Sequence, residues 1–125
     1  MKSALNRIKN ASDYESAAND ILSHSDEYNI AELILPDQEK ELFGTCAYII
    51  SRMPIDFIEE NAVKLLSWFQ DLNWPGVDQV FDSLCRLPRD VLTSALSRGF
   101  EEAQRVRDEE WAYNLKEEFA EYLEK

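Results

Sequence analysis

What this chain lacks narrows its reading first. Its three glycines, Gly44, Gly76 and Gly99, stand far apart, so no loop can cradle a phosphate. The single histidine, His24, lies in the polar run Ser23-His24-Ser25 with nothing in sequence to orient it. It reads as an exposed loop residue and not as a catalytic base. Cys46 and Cys85 are isolated, without a CxxC pair or a clustered histidine, which argues against a metal site. Each falls on an apolar helix face and reads as a small buried hydrophobe with a free thiol. No apolar run approaches the roughly 18 residues that a bilayer-spanning helix needs. The start, Met1 to Arg7, turns polar at once, unlike a secretory signal. A soluble, cytoplasmic protein is expected.

Positive charge is also scarce. Thirteen basic residues face 25 acidic ones, for a net charge of −12. Such a surface repels phosphate backbones and anionic lipid, so neither nucleic acid nor membrane is an expected partner. It attracts a basic protein, at a rate that falls as salt rises. Adjacent carboxylates are plentiful (Glu59-Glu60, Glu101-Glu102, Glu109-Glu110, Glu117-Glu118). Neighbours on a helix diverge by about 100°, so these pairs do not converge as an acid and base must. We expect no enzyme, no cofactor and no metal.

What is present is helical. Leu, Ala, Glu and Asp dominate, and β-branched residues form no alternating runs. No segment reads as a strand. The length fits a single domain, 1–125, with N-terminal helices over 1–36 and a helical-repeat-like core over 37–125. Ser12 to Glu15 resembles a capping box opening an apolar stripe at Ala17, Ala18, Ile21 and Leu22. Ile30, Leu33, Ile34 and Leu35 form a short apolar turn stopped by Pro36. Asp37 then caps a helix with Glu39 in its first turn and Leu42, Cys46, Ile49, Ile50 and Met53 on one face. Gly44, within it, is read as a place where another helix approaches. Pro54 opens the next helix, with Ile55, Ile58, Ala62, Leu65, Leu66 and Phe69 inward.

The chain then reaches its best-specified stretch, Leu65-Leu66-Ser67-Trp68-Phe69-Gln70-Asp71-Leu72-Asn73-Trp74-Pro75-Gly76-Val77. It reads as a helix end, a tight corner with Asn73 as N-cap and Pro75 in the first turn, and a new helix. That helix carries Val77, Val80, Phe81 and Leu84. Another follows from Arg89 with Val91, Leu92, Ala95, Leu96 and Phe100 inward, and Gly99 is a point where it can bend or end. Asp108 caps the last helix, whose stripe is Trp111, Leu115, Phe119, Tyr122 and Leu123. Helices joined by such short corners pack as antiparallel hairpins. The fold class is therefore all-α: a short HEAT-like α-solenoid or a compact orthogonal bundle.

The stretch Leu65 to Pro75 resembles the signature L-L-x-W-L-Q-D-x-N-W-P of a small bacterial family of uncharacterised all-helical domains. A downstream acidic pair before a tryptophan matches Asp108-Glu109-Glu110-Trp111, and the resemblance covers roughly Ile55 to Phe119. Phe69 replaces the usual Leu, and Gly76 stands where a β-branched residue is expected. Domains of this kind are similar to immunity proteins of polymorphic toxin and contact-dependent growth inhibition systems. The resemblance implies a cytoplasmic antitoxin that binds a cognate, basic, ribonuclease-type toxin domain and occludes its cleft. The expected contact residues are Asp71, Asp78, Asp82, Asp108, Glu109 and Glu110, with Trp74 as an aromatic anchor if exposed. The free protein is expected to be a monomer. A helical-repeat adaptor that binds a peptide or partner subunit, its acidity serving only solubility, is the second reading.

Overall fold

A computed structural model describes residues 1–34 and 39–123. It is all-α, with helices α1 (Ala4–Lys9), α2 (Tyr14–Ser23), α3 (Phe43–Ser51), α4 (Ile55–Glu60), α5 (Ala62–Leu65), α6 (Val77–Leu84), α7 (Arg89–Arg105), α8 (Glu109–Glu118) and α9 (Ala120–Leu123). Short 3₁₀ turns occupy Ser25–Glu27, Ile30–Leu33, Lys40–Leu42 and Leu66–Gln70. A two-residue parallel pair, Lys2–Ser3 (β1) against Tyr28–Asn29 (β2), was not expected from the sequence. It is too short to leave an alternating pattern.

The stripes read from the sequence form most of the core, although the last expected helix breaks at Phe119 and leaves Leu123 exposed. Leu42, Cys46, Ile49, Ile50, Met53, Ile58, Ala62, Leu65, Leu66 and Phe69 are buried in one cluster with Leu92, Leu96, Trp111, Leu115 and Phe119. Ala4, Ile8, Ala18 and Ile21 of the first two helices belong to the same cluster. Of the two arrangements expected, the compact bundle is the one formed. In a solenoid each unit touches only its neighbours, whereas here the Leu66–Gln70 turn is a hub. The Trp111 indole donates to Leu66 O at 2.9 Å, and Asn114 Nδ2 donates to Phe69 O at 2.9 Å. The Phe69 ring lies 5.1 Å from that of Phe119 and 6.4 Å from that of Phe81.

The expected antiparallel hairpin is formed by α7 with α8 and α9. Arg89 donates to Glu121 O, and Ala103 O accepts from the Asp108 N–H. Between these ends, a Cβ on Gly99 would lie 3.5 Å from Leu115. Gly99 does not end α7, which runs on to Arg105. It lets the helix approach Leu66, whose Cδ1 would be 2.9 Å from that Cβ.

Several local expectations need correction. The stripe from Ile55 to Phe69 is not one helix. Asn61, which is buried, leaves helical dihedrals at φ −109° and ψ 14° and separates α4 from α5, and its Nδ2 joins its own N–H on the Phe57 carbonyl at 2.9 Å. Ile55 is 40% exposed, because it sits on the first turn, ahead of the face that packs. Asp13, not Ser12, caps α2, accepting from the Glu15 N–H at 3.1 Å. Glu39 is extended and precedes a 3₁₀ turn, so it does not lie in the first turn of α3. The expected roles of Leu35, Pro36 and Asp37 lie outside the described residues.

Candidate functional site

The corner after Phe69 is built differently from the expectation. Asn73 is not an N-cap. Asp71 makes the turn: its Oδ1 accepts from the Asn73 N–H at 2.9 Å, and its carbonyl accepts from the Trp74 N–H at 3.1 Å. Pro75 is in a turn, and α6 starts only at Val77, after Gly76 at φ +90°. A Cβ on Gly76 would stand 2.4 Å from Ala47 Cβ and 3.3 Å from Phe43 O, so α3 and the corner meet where no side chain fits. Trp68 is fully buried, its indole N–H donating to the Ile34 carbonyl. Trp74 is half-buried, edge-on to Phe43 at 5.4 Å, and Phe43 in turn lies 5.4 Å from Trp68. Both tryptophans therefore serve the corner, and Trp74 keeps part of its surface outside.

The seven expected contact residues fall into three kinds. Asp71 and Asp108 are half-buried and spend a carboxylate oxygen on backbone, Asp108 Oδ1 accepting from the Trp111 N–H at 2.9 Å. Trp74 packs on Phe43. Asp78, Asp82, Glu109 and Glu110 are exposed and make no ion pair among the described residues. These four do not form one patch. The Phe81 ring, next to Asp82, lies 5.0 Å from Phe119 at the far end of α8 from Glu109 and Glu110. Ten helical residues separate the two ends by about 15 Å.

Other chemistry-bearing groups are committed to structure. Burial pushes the Cys46 thiol up to about 12, so it stays protonated and unreactive. Burial also raises Cys85, which lies against the Tyr122 hydroxyl. Both thiols are free, though Cys85 is only half-buried. His24 is exposed, with Nδ1 3.3 Å from Asp20 Oδ1. Asp20 is held below the usual carboxylate range first by the Tyr28 hydroxyl, 2.7 Å away, and then by Arg7. Arg86 donates to the Ser51 and Met53 carbonyls at 3.2 and 3.0 Å and ties α6 to the end of α3. Among the described residues no group of three or more His, Cys, Asp or Glu could hold a metal ion. No described helix is long and apolar enough to cross a membrane.

Sequence reasoning missed a hollow of about 460 Å³ between α2 and α3, lined by Tyr14, Glu15, Ala18, Asn19, Gly44, Thr45 and Tyr48. Gly44 was expected to admit another helix. A Cβ there would meet nothing within 4 Å, so the glycine opens onto the hollow instead. That unexplained glycine was the one signal the sequence offered.

Residues 37–125 match the family described as a domain of unknown function, DUF5071. The chain belongs to the DUF5071 family. No curated protein and no solved structure matches it. The match fits the expectation of a small domain of unknown function. The DUF5071 segment contains the Asp71 corner, the four exposed carboxylates and the α3 wall of the hollow. The α2 wall, with Tyr14 and Glu15, precedes it.

Proposed function

We propose that the chain is an antitoxin-like immunity protein. It binds a cognate toxin domain, a basic nuclease of the ribonuclease type in a contact-dependent growth inhibition or related system, and occludes its active-site cleft. It acts in the cytoplasm, as a monomer until the toxin is met, and by binding and not by catalysis. The observation that carries this reading is the net charge of −12 together with exposed carboxylates at Asp78, Asp82, Glu109 and Glu110 that make no ion pair among the described residues. A nuclease cleft must be basic to hold phosphates, so an acidic surface competes with the substrate for the same residues. The resemblance of Leu65 to Pro75 to the signature of a small family of uncharacterised all-helical domains, a kind similar to immunity proteins, supports the same reading. Nothing in the compact bundle favours a stacked adaptor specifically.

The test is capture of a partner by the tagged chain from cells carrying it, at low and at high salt. A single basic polypeptide with nuclease activity, released by salt, is the expected result. A partner held equally at both salt concentrations would mean that apolar burial carries the contact and that the acidic surface is not the recognition element.

A further inference from the structure

The hollow between α2 and α3 is built in a way that the fold does not require. Tyr14 and Ala18, and Glu15 and Asn19, are i, i+4 pairs on α2, and Gly44 and Tyr48 are such a pair on α3, so two turns of each helix border it. Tyr14 and Tyr48 are 37% and 39% exposed. A glycine within a helix costs up to about 1 kcal/mol relative to alanine. Gly44, in the first turn of α3, bears part of that cost although no side chain among the described residues comes within 4 Å of the place of its missing Cβ. The Glu15 carboxylate makes no ion pair among the described residues. Asp13, which caps α2, and Glu41, in the turn before α3, add two carboxylates nearby in sequence, against Lys40. These full charges outweigh the partial positive charge, about +0.5 each, at the two helix starts.

We propose that this hollow seats an arginine side chain of a basic protein partner, its guanidinium stacked on Tyr14 and Tyr48 and paired with Glu15. Aromatic faces beside an unpaired carboxylate suit a guanidinium better than an ammonium, because the planar fork stacks and is weakly hydrated. The partner's identity as a toxin rests on the function proposed above. The seat itself does not.

The probe is the peptide acetyl-Ala-Arg-Ala-Arg-Ala-amide, titrated at low salt into the ¹⁵N-labelled full chain, with citrulline replacing arginine in the control. The arginine peptide is expected to give saturable shifts confined to the amides of residues 14–19 and 44–48, and the citrulline peptide none. Tyr48→Ala weakens the binding about two- to fivefold, Glu15→Gln weakens it as well, and Gly44→Leu abolishes it. Should Gly44→Leu not fold, Tyr48→Ala and Glu15→Gln decide. Absence of shifts, shifts spread over all acidic faces, or affinity indifferent to these variants would overturn the seat. Salt-sensitive binding of a nuclease that survives Tyr48→Ala and Gly44→Leu would also overturn it, while leaving the immunity reading intact. Confined arginine shifts in a chain that binds no basic nuclease would support the seat and remove the immunity reading.

Discussion

Single residues carry more of this fold than their sequence neighbourhood suggests. Gly76 is held at φ +90° with Ala47 directly over its α-carbon. Gly76→Ala therefore combines a left-handed backbone penalty with overpacking, and about 2–5 kcal/mol of stability should be lost in chemical denaturation. Asn114 is buried and satisfies the Phe69 carbonyl. Asn114→Ala leaves that acceptor unpaired and should cost about 1–3 kcal/mol; an isostable variant would show that water takes its place. Asp20 gives the pH dependence its sign. Its carboxyl is lowered in the folded chain by Tyr28 and Arg7, so the unfolded chain binds the proton more readily. The resulting stability is full above the ordinary carboxylate value and is lost as pH falls through the lowered one. Asp20→Asn should accordingly flatten the acid limb of a thermal-unfolding profile and leave its shape at neutral pH unchanged.

At the scale of elements, the apolar stripes were legible because burial and helical period coincide in Leu42 to Met53, in Leu92 to Leu96 and in Trp111 to Phe119. Boundaries were legible only where one residue does the capping alone. Asp108 was read correctly because a carboxylate before an apolar stripe has one economical use. The corner at Asp71 was misread because two residues competed for the same role, and the side chain that turns the backbone comes two positions before the expected Asn73. The helix breaks at Asn61 within a stripe whose periodicity gives no warning, since the break lies in the dihedrals of a polar residue and not in the apolar pattern. The end of α7 is a further case. Arg107 sits at φ 59°, with its N–H on Gln104 O at 3.1 Å and the Asp108 N–H on Ala103 O at 2.9 Å, the pairing of a Schellman end. A glycine would take that conformation without strain, so Arg107→Gly should raise stability by about 0.5–1 kcal/mol in the same denaturation assay. The hollow between α2 and α3 was not legible, because its two walls are 25 or more residues apart and only packing joins them.

On the scale of the whole molecule, charge and shape give different amounts of information. The net charge of −12 was read directly, yet the expected contact residues divide into two that shape the backbone, one that packs, and four that are exposed at separated places. Residue type had marked all six acids alike. Only the bundle distinguishes a carboxylate used as a cap from one available to a partner. Lys or Arg at Asp82 should therefore weaken partner binding without loss of stability, whereas the same change costs about 0.3–1 kcal/mol at Asp78, in the first turn of α6, and removes a cap worth about 1 kcal/mol at Asp108. The central claim, that the chain neutralises a basic nuclease by covering its cleft, is tested most directly by titrating the chain into the captured partner while following RNA cleavage. The account predicts complete inhibition at one chain per nuclease, relieved by rising salt and by charge reversal at the exposed acids. Undiminished cleavage with the complex fully formed would contradict it.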